Sequence, residues 1–586
     1  MDNIAKKLED IFTQSIAICF PLMSDTKAII RPSSHADYQC NSAMAISQGM
    51  RKRGESIDPR SIADQLVKRL PQNDIVHEAQ ITGGFINIHL KQDFVCGKVL
   101  QLLKEEIHVS GDRQDRVVID YSSPNIAKEM HVGHLRSTII GDCIANVLEF
   151  LGHEVIRVNH LGDWGTQFGM LLAYLTEKYP DYLDKPPAIG DLQKFYQEAK
   201  KRFDDDVEFS KKAKECVVKL QSKDPKFYKA WQMICDISRK EFEIIYEMLD
   251  VKGLKEMGES FYQDMMVEVI SDVKQKKLVS EDEGRLIMWP DPASIPLTLV
   301  KSDGGFTYDT SDLACIKYRI QEQKASRIIY VTDSGQETHI KGIKSAAILA
   351  GYLKPDEVNV QHVGFGVVTG AGGKKFKTRS GETVRLKELL DEGLERAGAK
   401  LREKERDKEM TAEELSVAQK AVAMGCIKYS DLAHERVKNY EFSFDRMLDD
   451  RGNTAVYLLY SLARINSIIR KANLDQSVET IAQQTQRLNL SHIRELRLAK
   501  GILKFPEIIL QVADTLMPHY LCGYLFDLSV IFSEFYEQCY CIEKVRGSGD
   551  EEVFKVNYDR ILLCEATARV LSKGLQLLGI KLVEKL

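Results

Sequence analysis

The sequence predicts a multidomain chain: an N-terminal α+β domain, a central α/β domain on a parallel sheet with helical insertions, and a C-terminal all-α bundle. Three observations predict it. First, 586 residues exceed what a single hydrophobic core supports. Second, the β-branched run Arg116-Val117-Val118-Ile119-Asp120-Tyr121 precedes a helical pattern and then Glu154-Val155-Ile156-Arg157-Val158. Strand, helix and strand this close together require parallel pairing, the unit of a Rossmann-type sheet. Third, from about residue 450 onward only helical patterns are visible, such as Tyr457-Leu458-Leu459-Tyr460-Ser461-Leu462-Ala463-Arg464-Ile465.

The elements follow in order. Ile4, Leu8, Ile11 and Phe12 share one face of a first helix, and a strand at 85–90 is introduced by Gly83-Gly84. The polar run 110–115 reads as a linker. A helix over 132–151 carries Leu135, Ile139, Ile140, Ile144, Val147, Leu148 and Leu151 at helix-face spacing. Residues around 170–300 are charged and largely helical, as an insertion would be. Strands return at 327–331 and 358–363, and the charged stretch 401–414 reads as a solvated helix or connector. The expected domains are 1–108, 109–448 and 449–586.

Composition narrows the function. The net charge of −5 argues against a protein that coats nucleic acid indiscriminately, while leaving room for local basic patches. The 12 cysteines form no C-x-x-C pair, so buried reduced thiols are expected, with no metal-ligand set. Lys6 and Lys7 are mixed with Asp2, Glu9 and Asp10, unlike a signal or transit peptide. No apolar run approaches the ~20 residues of a membrane span. A cytoplasmic monomer with no membrane partner is expected.

One segment carries chemistry. Where the strand at 116–121 ends, Pro124-Asn125-Ile126-Ala127-Lys128-Glu129-Met130-His131-Val132-Gly133-His134 leads into a helix N-terminus. Free amides and the helix dipole there favour phosphate. His131 and His134, three apart, share a face and can donate to phosphate oxygens. Gly133 removes a side chain so that a flat ring or a phosphate can approach the backbone, and Lys128 adds a cation just upstream. The whole string S-S-P-N-I-A-K-x-x-H-x-G-H-L-R-S from Ser122 is too long for chance.

This string resembles the "HIGH" signature of class I aminoacyl-tRNA synthetases, in the form used by arginyl-tRNA synthetases. Leu161-Gly162-Asp163-Trp164-Gly165-Thr166-Gln167-Phe168-Gly169 is similar to that family's G-D-W-G-x-Q segment, and Gly258-Glu259-Ser260-Phe261-Tyr262 to its G-E-S-F-Y. Phe306-Thr307-Tyr308-Asp309-Thr310-Ser311-Asp312 resembles its substrate helix entry, and Gly335-Gln336-Glu337-Thr338-His339 its Q-x-x-H. The resemblance spans almost the whole chain. It implies an arginine–tRNA ligase that activates L-arginine with ATP and passes it to the 3′ end of tRNA(Arg), releasing AMP and diphosphate.

The resemblance also implies a site. Lys128, His131, His134 and Lys375 would be catalytic. Asn125, Lys128, His131, Gly133, His134, His362, Lys375 and Lys377 would bind ATP, with Mg²⁺ arriving on it. Glu259, Asp312 and the Tyr308 hydroxyl would surround the arginine side chain, and Asn125, Gln336 and Asp120 its amino and carboxylate groups. A guanidinium has five donors and no acceptor, so paired carboxylates suit it. Neutral amino acids would leave those charges unpaired, and a compact ammonium cannot reach both acceptors as a planar fork does. The first domain would contact the outer corner of tRNA, with Tyr38, Gln39 and Asn41 stacking on and bonding to a loop base. The C-terminal helices would bind the anticodon, and bound tRNA would be needed for arginine activation.

One departure concerns the second class I signature, K-M-S-K-S. The corresponding stretch is Gly372-Gly373-Lys374-Lys375-Phe376-Lys377-Thr378-Arg379-Ser380-Gly381, where Lys375 matches the first lysine but Thr378 replaces the second. The family is thought to use the lysine before the histidine pair instead, a place held here by Lys128. A class I enzyme for cysteine would need a zinc site, and one for glutamate would need cations where Glu259 and Asp312 stand. An inactive RNA-binding relative would have no reason to keep Lys128, His131, His134, Asn125 and Asp312 together.

Overall fold

In the computed structural model, residues 1–111, 113–185, 192–291, 295–373, 384–546 and 552–583 are described. The chain divides into two compact units. One is Met1–Asp112 with Asp450–Gln576 and Leu582–Leu586; the other is Arg113–Asp449 with Leu577–Lys581.

In the first unit, helix α1 (Ile4–Cys19) starts where the Asn3 side chain accepts the Lys6 amide. It buries Ile4, Leu8, Phe12 and Ile16, one stripe at a spacing of four. Strands β1 (Ile30–Pro32), β2 (Tyr38–Cys40), β3 (Val76–Thr82) and β4 (Phe85–Leu90) form an antiparallel sheet in the order β1-β2-β4-β3. Helices α2 (Ser42–Lys52), α3 (Pro59–Lys68) and α4 (Gln92–Lys104) complete the N-terminal part.

The helices of 450–576 belong to the same unit, and polar contacts tie them to the N-terminal part. The Tyr38 hydroxyl donates to Glu507 Oε1 at 2.6 Å, Lys500 Nζ meets Asp37 at 2.8 Å, and Arg569 Nη1 donates to the Leu103 carbonyl at 2.9 Å. This C-terminal part is helical with one exception to the all-α expectation. Strands Ile542–Arg546 and Glu552–Val556 pair as an antiparallel hairpin. Neither run alternates strictly and each is only five residues long, within a helical context, so the pattern gives little strand signal.

The second unit is built on β5 (Arg116–Asp120), which leads to α5 (Val132–Phe150) and β6 (Glu154–Asn159). The insertion follows as α6 (Thr166–Lys178), α7 (Leu192–Asp205), α8 (Val207–Gln221) and α9 (Pro225–Met248), then β7 (Lys255–Glu256) and α10 (Gln263–Gln275). Next come β8 (Val279–Asp282), β9 (Arg285–Met288) and β10 (Leu297–Val300), a small antiparallel sheet, and then α11 (Tyr308–Gln321), β11 (Arg327–Tyr330), α12 (Glu337–Leu349) and β12 (Asn359–His362). The main sheet is parallel throughout, in the order β12-β11-β5-β6-β7. Val118, Ile156, Val158, Ile328 and Val360 of the sheet share one core with Leu313 and Ile316 of α11 and Ile343 of α12. Such strands are covered by helices and therefore read as apolar runs rather than alternating ones. The register aligns Asp120, Val158, Tyr330 and His362 in one row at the strands' carboxyl ends, where ligands of open parallel sheets bind.

Candidate active site

The turn after β5 is strained, and its strain is held in place. Ser122, Ser123 and Ala127 have φ of 72°, 47° and 62°, the left-handed region that disfavours residues with a side chain. The amide of each is bound by a side chain from a different element. Ser122 N donates to Ser137 Oγ of α5 at 2.9 Å, and Ser123 N to Asn159 Oδ1 of β6 at 3.0 Å. Ala127 N donates to Ser238 Oγ of α9 at 2.9 Å. Asn125 pairs with Gly162, where a Cβ would stand 2.0 Å from Asn125 Oδ1. The G-D-W-G glycine is thus required by the close approach of the signature turn.

The two signature histidines are joined by their backbone. His131 caps α5 by accepting the Gly133 amide on Nδ1 at 3.0 Å, and His134 Nδ1 accepts the His131 amide at 3.1 Å. The rings lie 4.0 Å apart. A Cβ on Gly133 would fall 2.9 Å from His131 Cε1, so only glycine lets that ring fold back. Burial lowers both imidazoles from their ordinary range. His134 falls to about 3, with the charges of His131 and Lys128 adding to burial. Since each Nδ1 accepts a bond, the geometry assigns the ring proton to Nε2, leaving two neutral donors for an anion. Lys128 Nζ lies 5.4 Å from the Tyr196 ring centroid of α7.

A second cluster gathers carboxylates beyond β6, β7 and α11. Asp163 accepts the Ser260 amide at 2.8 Å and the Ser260 hydroxyl at 2.5 Å, and its own carbonyl accepts Trp231 Nε1 at 2.7 Å. These bonds lock the neighbour of Glu259. Burial pushes Glu259 up to about 7, opposed by the attraction of His160 and aided by repulsion from Asp312 and Asp163. Asp312 Oδ2 meets His339 Nε2 at 2.6 Å, and Oδ1 lies 3.8 Å from His160 Nε2. Burial alone would raise Asp312, yet the His339 hydrogen bond and the His160 charge hold it below the carboxylate range. Tyr308, 65% exposed at the start of α11, lies beside His339 with ring centroids 5.1 Å apart.

The remaining expected residues fall in three groups. Gln336 ends a short turn before α12 and is exposed. His362, at the end of β12, bonds Thr332 Oγ1 at 2.9 Å and lines a cavity of about 340 Å³ with Ser334, Glu337 and Arg436. Lys375 and Lys377 lie outside the described residues. The chain just after that segment returns to the signature, since the Leu386 amide donates to the Met130 carbonyl at 2.9 Å and Arg385 pairs with Glu129 at 2.8 Å.

Two expected residues are already engaged within the protein. Asp120 is only 4% exposed, with one oxygen 2.6 Å from Arg319 Nη2 and the other accepting the Ser123 hydroxyl at 2.9 Å. Its charge is matched within the protein by Arg319, and its bond to Ser123 supports the turn. Tyr38 is 2% exposed with its hydroxyl on Glu507, so it offers no ring face to a base. Gln39 Nε2 donates to Asn87 Oδ1 at 2.9 Å, and Asn41 precedes α2 with its Oδ1 buried. Sequence reasoning missed His160, Arg319 and Ser238. It also missed Phe85, 40% exposed on the strand that carries Asn87. The G-G-F turn of a short hairpin was the available signal for Phe85.

Comparison with known proteins agrees with this geometry. Residues 98–444 match the family model described as tRNA synthetases class I (R), catalytic domain. Residues 2–90 match the arginyl tRNA synthetase N terminal domain and 458–586 the DALR anticodon binding domain. The arginine–tRNA ligase, cytoplasmic, of Xenopus tropicalis is 54% identical over 100% of this chain and 89% of its own length. The protein of the same name from Homo sapiens is 52% identical with the same coverage. Among solved structures, Plasmodium falciparum arginyl-tRNA synthetase matches with a TM-score of 0.87 at 35% identity, covering 100% of both chains. Thermus thermophilus arginyl-tRNA synthetase shares the fold with a TM-score of 0.79 at 24% identity, again covering 100% of both chains.

Proposed function

The chain belongs to the arginyl-tRNA synthetases of class I, and on that footing we propose how its residues carry out the reaction. The reaction is arginine–tRNA ligation with ATP. The arginine carboxylate attacks the α-phosphate, giving arginyl-adenylate and diphosphate. The terminal ribose hydroxyl of tRNA(Arg) then takes the arginyl group and AMP leaves. The protein supplies position and charge rather than covalent chemistry.

His131 and His134 present their Nε2–H donors to the triphosphate at the N-terminus of α5, and Lys128 brings the cation. Asn125, Gly133 and His362 complete the ATP contacts, and Lys375 and Lys377 are assigned to the triphosphate on the second signature. Glu259 and Asp312 accept the guanidinium with the Tyr308 hydroxyl, while Asn125 and Gln336 hold the α-amino and carboxylate groups. Mg²⁺ travels with ATP and keeps several waters. Among the described residues no group of three or more His, Cys, Asp or Glu side chains is gathered to hold it.

The observation that carries this reading is a strained turn with two neutral imidazole donors next to a carboxylate pair whose charge is incompletely matched. We assign 1–108 to the outer corner of tRNA, 109–448 to catalysis and 449–586 to the anticodon. In the first of these, exposed Phe85 replaces Tyr38 as the stacking residue, beside the Gln39–Asn87 pair and near Asn41. We take the chain to act as a monomer. The cytoplasmic relatives support the same compartment, and no helix among the described residues is long and apolar enough to cross a membrane. Arginine-dependent exchange of diphosphate into ATP, present with tRNA and absent without it, tests the activation step. Equal exchange with another amino acid would exclude it.

A further inference from the structure

His160 has no part in the reaction as described, yet it touches three segments that build the arginine pocket. Its amide donates to Ser123 Oγ at 3.2 Å, inside the strained turn. Its ring stacks on Tyr262, 5.6 Å away at 26°, in the segment that begins with Glu259. Its Nε2 lies 3.8 Å from Asp312 Oδ1, and its Nδ1 is buried with no hydrogen-bond partner among the described residues.

The charged and titratable groups acting on this ring come from every element packed around it. They are Asp120 at the end of β5, Asp163 after β6, Glu259 and Tyr262 after β7, and Asp312 and Cys315 on α11. Arg319 is committed to Asp120 and His339 to Asp312, both at 2.6 Å. Neither is bonded to Glu259. Two carboxylates that repel one another in a desolvated pocket cannot both stay ionised without a cation, and one then takes up a proton.

We propose that His160 is a positioning residue of the arginine pocket, an imidazolium whose charge favours the ionised forms of Glu259 and Asp312 ahead of the guanidinium. This rests on the reading of the pocket as an arginine site. Burial alone would lower the imidazole, but the contact with Cys315 and the charges of Asp120 and Asp312 raise it to about 10. In return its charge lowers both Glu259 and Asp312. Without it, the pair keeps its proton to higher pH, and arginine must displace that proton in a larger share of the molecules.

The test uses the full chain with tRNA present. Initial rates of ATP–diphosphate exchange are measured against arginine and against ATP, from about pH 6 to 9, for unaltered enzyme, H160Q and H160N. The KM for arginine should rise about fivefold at pH 7 with the KM for ATP unchanged. The acid limb of kcat/KM for arginine should move upward by about one pH unit. A loss equal at every pH, with no displaced limb, would overturn the proposal by making His160 merely structural. Should both variants fail to fold, the carbon-13 histidine spectrum of the H339Q enzyme decides. An imidazolium signal that persists at about pH 8.5 and responds to arginine is expected, and its absence overturns the proposal. Unaltered enzyme without arginine-dependent exchange would contradict the function itself, a result the same plates distinguish.

Discussion

Asp312 is held by His339, Oδ2 to Nε2 at 2.6 Å, so one of the two carboxylates proposed to receive arginine is already oriented. Preorganisation of this kind removes ordering cost from the binding step. Replacing Asp312 by Asn keeps the shape and removes the charge. A charge-assisted bond is worth about 1.5–3 kcal/mol, so D312N should raise the KM for arginine by about ten- to a hundredfold. Uncharged citrulline should lose much less, and steady-state kinetics with both amino acids checks this.

The elevated Glu259 predicts a pH dependence with a definite sign. In the proposed site its ionised form receives the guanidinium, so arginine affinity should rise with pH up to about 7 and weaken as pH falls below that value. Titration calorimetry from about pH 5.5 to 8.5 should show this limb, about tenfold per unit on its acid side. E259Q should flatten it.

Lys128→Ala should lower arginine-dependent exchange by about two orders of magnitude or more, since charge stabilisation of this type is worth a few kcal/mol. Arginine binding should persist. Near-normal turnover would move the role to the second signature.

Ser238 lies 111 residues from Ala127 in sequence, yet it binds the amide of that strained residue. Ser238→Ala leaves a buried N–H without its partner, a loss of about 1–3 kcal/mol. The melting temperature should fall and kcat should drop more than either KM changes. Ala127→Gly should relieve the backbone and leave stability intact.

Tyr38 and Phe85 separate stability from RNA contact. Tyr38→Phe removes the hydroxyl that bonds half-buried Glu507 and should destabilise the first unit by about 1–3 kcal/mol with tRNA affinity unchanged. Phe85→Ala should leave melting unchanged and weaken tRNA binding by about 1–3 kcal/mol, the range for one stacked base. Filter binding and thermal melts read the two effects.

The signature turn was legible because its residues are contiguous, and the parallel sheet because its covered strands appear as apolar runs. Glu259, Tyr308, Asp312 and Gln336 were named through resemblance rather than periodicity. What stayed hidden depends on partners far along the chain. Asp120 looks like a free acid until Arg319, 199 residues on, is placed against it, and Tyr38 looks like a stacking ring until Glu507, 469 residues on, takes its hydroxyl. His160 has no local pattern at all, since its meaning comes from three segments meeting around one ring. The hairpin at 542–556 was missed because two five-residue strands carry little periodic signal among long helices.

The most direct measurement of the central claim is the charging of total tRNA by the purified chain with each of the twenty radiolabelled amino acids in turn, ATP and Mg²⁺ being present. Label should enter tRNA with arginine alone and only with ATP, and the product should be arginyl-tRNA(Arg). Charging with a different amino acid, or none with arginine while the folded protein still binds tRNA, would contradict it.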